Sequence, residues 1–183
     1  MCATLVAASL LAGVVAHAQE LGPPEPDSYR RNDYRAPTPE TLRGARVVTT
    51  PEAAALWKQG DAAFIDVLPR PPRPAGLPPG TIWRDTPRSN IPHSLWLPDT
   101  GYGALAPTME ADLRKGLIQA TGGDRGKALV IYCLRSCWMS WNAARRAVAL
   151  GYTNVIWYPD GTDGWLSAGL PLAPAVPERR PAE

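Results

Sequence analysis

Five consecutive apolar residues, Ala128-Leu129-Val130-Ile131-Tyr132, run straight into Cys133. A strand with apolar side chains on both faces must be covered on both faces, and parallel sheets flanked by helices meet that requirement. Ala63-Phe64-Ile65-Asp66-Val67 is a second such run, followed closely by prolines, and Val155-Ile156-Trp157-Tyr158 is a third. Their lengths suit buried strands better than helices. Val47-Val48-Thr49 and Leu95-Trp96-Leu97 add two shorter strands.

Helices are expected between the strands. Thr50-Pro51-Glu52 places a capping hydroxyl, an N1 proline and an early acid ahead of Ala53 to Gln59, and Gly60 ends that helix. Thr108 caps a second helix, Met109 to Ala120, which Gly122-Gly123 stops. A third, Ser140 to Leu150, presents Trp141, Ala144, Ala147 and Val148 on one face with Arg145-Arg146 outside, and Gly151 closes it. Pro159 to Gly164 then turns into a short helix around Trp165. Strands alternating with helices predict an α/β fold, an open parallel sheet with helices on both faces.

Proline sets the limits of that domain. There are 21 prolines in 183 residues, more than twice the ordinary frequency of about 5%. Five lie in residues 19–46, a stretch of mixed charge and no apolar period, whose composition predicts a surface arm unable to order itself by burial. Nine lie between Leu68 and Pro98. So long a connection is usually functional or disordered, and because indoles seek burial, Trp83 and Trp96 predict an ordered lid. One domain therefore spans 47–172, with a flexible tail over 173–183.

Residues 1–18 read as an export signal: an apolar run from Ala3 to Val15 precedes Ala16-His17-Ala18, a small-x-small cleavage site. Cleavage there leaves Gln19 first. The run is shorter than the roughly 20 residues of a spanning helix, and a net charge of +2 points to no nucleic-acid or membrane partner. The cleaved chain keeps only Cys133, Cys137 and His93 as soft metal ligands, too few for a structural zinc site, and no Cys-x-x-Cys-His string is present for haem. No metal or other cofactor is expected.

The chemistry concentrates at Cys133-Leu134-Arg135-Ser136-Cys137-Trp138. A cysteine at the C-terminal end of a central parallel strand lies where open α/β sheets bind ligands. Loop N–H groups and a following helix N-terminus can lower a thiol from about 8.5 to roughly 3.5–7.5, and Arg135 adds charge if its side chain folds inward. If the loop curls as a first helical turn, the Cβ atoms of Cys133 and Cys137 lie about 5–6 Å apart. A disulfide needs about 3.5–4.5 Å, so modest tightening would bridge them. Three readings stand side by side: a redox or sulfur-handling pair, a static local staple, and a buried inert cysteine. Among supporting residues, Asp66 either orients Arg135 or caps a turn. His93 either hydrogen-bonds within its loop or faces the site. Asp160 and Asp163 flank a glycine turn, where Asp163 caps the short helix or touches the Cys133 loop.

Ile-Tyr-Cys133, an Ala-Ala helix, Gly151-Tyr152, Asn154-Val155, Gly161-x-x-Gly164-Trp165 and Ala168-Gly169-Leu170-Pro171 together resemble the C-terminal half of a rhodanese domain. Phe64-Ile65-Asp66-Val67 and Ile91-Pro92-x-Ser94 resemble its upstream landmarks, so the likeness covers about Val47 to Leu172. It implies an α/β sulfurtransferase fold in which Cys133 carries a persulfide and Leu134, Arg135, Ser136, Trp138, Met139 and Ser140 form the substrate or anion-binding loop. Family loops usually hold small residues there, and Trp138 is large enough to fill the anion pocket. The Cys-x-x-x-Cys-Trp string, with Trp96 to Gly103 and Tyr158 to Trp165, more closely resembles an exported rhodanese-like group associated with pyrroloquinoline quinone (PQQ)-dependent catabolism. That likeness implies a Gram-negative periplasm, a small sulfur donor or a thiol/disulfide partner, and a PQQ-dependent dehydrogenase system nearby. It leaves two classes open: an enzyme in which Cys133 attacks and Cys137 resolves, and an accessory binding protein with an oxidised pair and a tryptophan-lined cleft.

Overall fold

A computed structural model describes residues 22–71, 74–82 and 86–178. The expected leader and Trp83 lie outside the described residues. Five parallel strands form the central sheet in the order β1-β6-β5-β2-β4: β1 (Arg46–Val47), β2 (Ala63–Asp66), β4 (Leu95–Trp96), β5 (Leu129–Tyr132) and β6 (Val155–Tyr158).

Alternation along the inner strands builds two cores, one on each face. Ile65, Leu129, Ile131, Val155 and Trp157 face α2 (Pro107–Thr121) and α3 (Trp138–Ala149), while Phe64, Val130, Tyr132, Ile156 and Tyr158 face α1 (Thr50–Gln59) and α4 (Gly161–Ser167). Apolar residues on both sides of each strand thus produce the predicted α/β sheet with helices on both faces. Among the described residues no helix is long and apolar enough to cross a membrane.

The helix starts differ from the sequence reading in detail. Thr49, not Thr50, caps α1: the Glu52 carboxylate accepts from the Thr49 N–H at 2.8 Å and from its hydroxyl at 2.7 Å. Thr50 instead bonds the Tyr158 hydroxyl at 2.9 Å and Asp160 at 3.2 Å. Helix α2 starts at Pro107 with Ala106 at the cap position, so Thr108 lies inside it. Helix α3 starts at Trp138, two residues before Ser140, and Cys137 occupies its cap position.

The proline-rich segments are more ordered than their composition predicts. β3 (Arg88–Asn90) in the long excursion pairs antiparallel with β7 (Ala173–Ala175), so the expected flexible tail is a strand through Ala175, and the Glu178 N–H donates to the Trp96 carbonyl at 2.9 Å. The N-terminal arm anchors Leu42 in the core and packs Tyr34 and Ala36 against it. The arm also corrects the reading of α3. Arg146, expected outside, is buried, with Nη2 donating to the Gly103 carbonyl at 2.8 Å and its guanidinium 4.1 Å from the Tyr29 ring centroid. It points away from the sheet, as its helical position requires, but the arm and the Gly101–Gly103 turn form a further layer over it.

Candidate active site

Cys133 follows β5 directly and Cys137 precedes α3, with three residues between them to turn the chain. The two are joined as a disulfide with Cα atoms 6.2 Å apart, inside the ordinary range of about 4.4–6.8 Å. Ser136 takes a left-handed φ of 53°, reversing the loop. Both cysteines are buried, at 0% and 2% exposure.

The neighbouring strand-end loop holds Cys133 from behind. Gly161 has φ 51°, and a Cβ there would overlap the Cys133 carbonyl, so glycine is required for the start of α4 to come this close. The Thr162 N–H then donates to that carbonyl at 3.1 Å, and Leu134, partly buried, bridges antiparallel to Gly161.

The acidic residues converge on the loop, and of the two readings of Asp163 it is the contact with the Cys133 loop that the structure shows. Asp163 accepts from the Arg135 N–H at 3.0 Å, and Asp160 accepts from Arg135 Nε at 3.2 Å. Asp160 stands at the cap position of α4, the role expected of Asp163. Arg135 is half-exposed and drawn to these acids.

Asp66 does not orient Arg135. It is fully buried, accepts from the Leu68 N–H at 3.0 Å as a turn cap, and pairs with Arg88 Nε at 2.9 Å. Burial outweighs the Arg88 charge and pushes the Asp66 carboxyl above its ordinary range. Arg88 also donates to the Thr162 hydroxyl at 3.3 Å, tying the end of β2 to the start of α4 behind Cys133. Tyr132, whose hydroxyl accepts from the Ile91 N–H at 3.1 Å and donates to Ser94 Oγ at 2.7 Å, ties in the loop before β4, and burial pushes its phenol well up.

Sequence reasoning missed Arg88 as a site residue. It lies among prolines with no periodicity, and the only signal was Asp66, a carboxylate in an apolar strand that needed a cation. His93 is not brought to the pair. It is exposed at φ 68° just before β4, whose Leu95 pairs with Ile65, whereas Cys133 lies beyond the C-terminal strand ends.

At the start of α3, Trp138 and Met139 are buried and the Trp138 backbone donor is occupied. The Trp138 N–H donates to the Tyr34 carbonyl at 3.0 Å and its indole Nε1 to the Pro37 carbonyl at 3.0 Å. Ser140 bonds the Cys137 carbonyl at 2.9 Å and accepts from Trp157 Nε1 at 3.0 Å. Two N–H groups expected to face a thiolate, those of Arg135 and Trp138, are therefore taken by Asp163 and Tyr34. Trp96 is a packing residue, its indole bonded to the Leu68 carbonyl at 2.7 Å. It lines a cleft of about 380 Å³ with Leu68, Arg70, Arg88 and Tyr102.

The rhodanese-like domain model matches residues 49–168. No curated protein sequence matches the chain. Among solved structures, an uncharacterised protein from Saccharomyces cerevisiae aligns over 68% of this chain and 92% of its own at 22% identity, with a TM-score of 0.41. A homodimeric polysulfide-sulfur transferase from Wolinella succinogenes aligns over 71% of this chain and 79% of its own at 17% identity, with a TM-score of 0.43.

Proposed function

Taking as premise that the chain belongs to the rhodanese-like domain family, matched across residues 49–168, we propose that Cys133 and Cys137 act together in thiol redox or sulfur transfer. The observation that carries this reading is the pair itself: a cysteine at the end of a central strand, bonded to a second at the cap of the next helix. In the reduced pair the Cys133 thiolate attacks the outer sulfur of a persulfide donor, releasing the donor thiolate and leaving a Cys133 persulfide. The Cys137 thiolate then attacks the Cys133 sulfur, expelling hydrosulfide and forming the disulfide. A dithiol reductant returns the pair to its starting state. Export to a Gram-negative periplasm, and service to PQQ-dependent alcohol catabolism, belong to the same proposal and rest on the leader and the Cys-x-x-x-Cys-Trp string.

Burial of both sulfurs favours a second reading, in which the bond is permanent and the protein is an accessory binding module. Two variants separate the readings. Under the first, Cys133→Ser abolishes persulfide and disulfide turnover, and Cys137→Ser accumulates one extra sulfur on Cys133, visible by intact mass. Two variants that behave alike, with no trapped adduct, would leave the accessory reading in place. Cys133, as the residue on the strand, should also alkylate first at neutral pH in the reduced protein.

A further inference from the structure

We propose that residues 26–37 are a displaceable strap that gates access to the Cys133–Cys137 disulfide. The peptide unit joining Cys137 to Trp138 donates to the Tyr34 carbonyl, and the Trp138 indole donates to that of Pro37, so this backbone lies directly over the start of α3. Farther along the helix, Asn142 Oδ1 accepts from the Arg30 N–H at 3.0 Å while its Nδ2 donates to the Arg30 carbonyl at 2.9 Å. Arg145 donates to the carbonyls of Pro26 and Asp27.

These contacts share one chemistry. Apart from the Trp138 N–H, side chains of α3 grip peptide groups of the strap, and the strap's own apolar contacts, Tyr34 and Ala36 against the core, are only partly buried. No residue from Gly22 to Thr38 is buried, whereas Pro39 and Leu42 are. Releasing the strap exchanges hydrogen bonds to protein for hydrogen bonds to water and uncovers Trp138 without unpacking the sheet, and segments with these properties open at low free energy. Pro39 and Leu42 remain as the anchor about which it moves. The strap concerns access to the sulfurs and does not depend on which chemistry the pair performs.

Reduction by dithiothreitol tests it. A thiolate of the reagent attacks one sulfur, the Cys133–Cys137 bond breaks with the other leaving as thiolate, and the second reagent thiol closes to the cyclic disulfide, so two electrons pass to the pair. In the full-length folded protein, reduction should be slower than in a short disulfide peptide of the same loop. Its rate should rise with sub-denaturing urea, with a slope much smaller than that of global unfolding, because a local opening exposes little surface.

The sharper test is Gly103→Ala, since a Cβ at Gly103 would overlap the Arg30 carbonyl and must push the strap outward. This variant should reduce at least tenfold faster and be cut by protease within 26–37. A folded Gly103→Ala protein reducing at the wild-type rate would overturn the proposal. If that variant does not fold, a wild-type urea slope equal to the global one overturns it, and a shallow slope supports it. Gated reduction without sulfur-transfer turnover would sink the sulfur reading and keep the strap.

Discussion

The segment from β5 to α4 contains helix α3 and the arm before β1 lies against that helix, yet the two are held by opposite means. The first is a stack of strands and helices closed by apolar burial, with Trp141, Trp157 and Trp165 wholly inside. The second is extended chain, held mainly where tryptophan, asparagine and arginine side chains donate to its carbonyls. Burial of that kind gives rigidity that survives loss of any single contact. Hydrogen bonds to peptide groups give position without much stability, because each is worth only about 0.5–1.5 kcal/mol net.

The comparison breaks first if the burial-held region proves soft. Trp165→Ala removes an indole packed against Phe64, Trp57 and Tyr158 and should cost about 3–5 kcal/mol of unfolding free energy in urea. Arg88→Met should cost a similar 3–5 kcal/mol, because it leaves the buried Asp66 carboxylate without its cation. The sign of its pH dependence is set by Asp66. A carboxyl raised in the folded state binds its proton more readily there than in the unfolded chain, so its contribution falls as pH rises from the unfolded value through the folded one. Without Arg88 that fall should steepen and extend to higher pH. An Arg88→Met protein as stable as wild type near neutrality would mean that Asp66 is not buried as an ion.

The same division decides what could be read from the sequence. The apolar runs Ala63–Val67, Ala128–Tyr132 and Val155–Tyr158 each led to the right strand because burial on both faces leaves a local signature. Cys133 was legible for the same reason, since its place follows from a strand end, whereas Cys137 was read as a loop residue ahead of a helix beginning at Ser140 and instead stands at the cap of α3. Arg146 was not. Its outward helical position is real, and it is buried by the arm, more than a hundred residues earlier in the chain, together with the Gly101–Gly103 turn. Nor was the Arg88–Asp66 pair legible, because no spacing links a residue in a proline-rich loop to one 22 positions away. Strand β7 was missed because its pairing with β3 joins two segments whose prolines argue against sheet.

An intermediate effect is expected at the disulfide. Replacing both cysteines by alanine should cost about 2 kcal/mol, the chain-entropy value for so short a ring. A loss near that of Trp165→Ala would make the bond a main support of the fold and favour the staple. Trp138→Phe should cost less, about 1 kcal/mol, since it keeps an aromatic ring in place beside Arg30 and Trp141 and removes the indole bond to Pro37. Its larger consequence should be kinetic, a faster reduction of the pair.

The smallest effect sharpens the comparison by testing a side-chain-to-backbone contact that is local. Glu52 accepts from the Thr49 N–H and hydroxyl in the Thr-x-x-Glu spacing of a capping box, three residues apart in one helix start. The adjacent Thr50 obscured the cap position in the sequence, but the interval from Thr49 to Glu52 marks it. The Thr49 backbone bond, then its hydroxyl bond, hold the Glu52 carboxyl below its ordinary 4.5. A carboxyl depressed in the folded state contributes stability that is present above the unfolded value and lost as pH falls through the folded one. Wild type should therefore be slightly more stable than Glu52→Gln at neutral pH, and the gap should close below pH 4.5 in thermal melts across that range. Reduction of the disulfide should be unaffected by the same substitution, because the box fixes only its own helix whereas the strap contacts lie at the start of α3, next to Cys137. A Glu52→Gln protein with faster reduction would show that the opening reaches α1 on the other face of the sheet, and the contrast between the two regions would then fail.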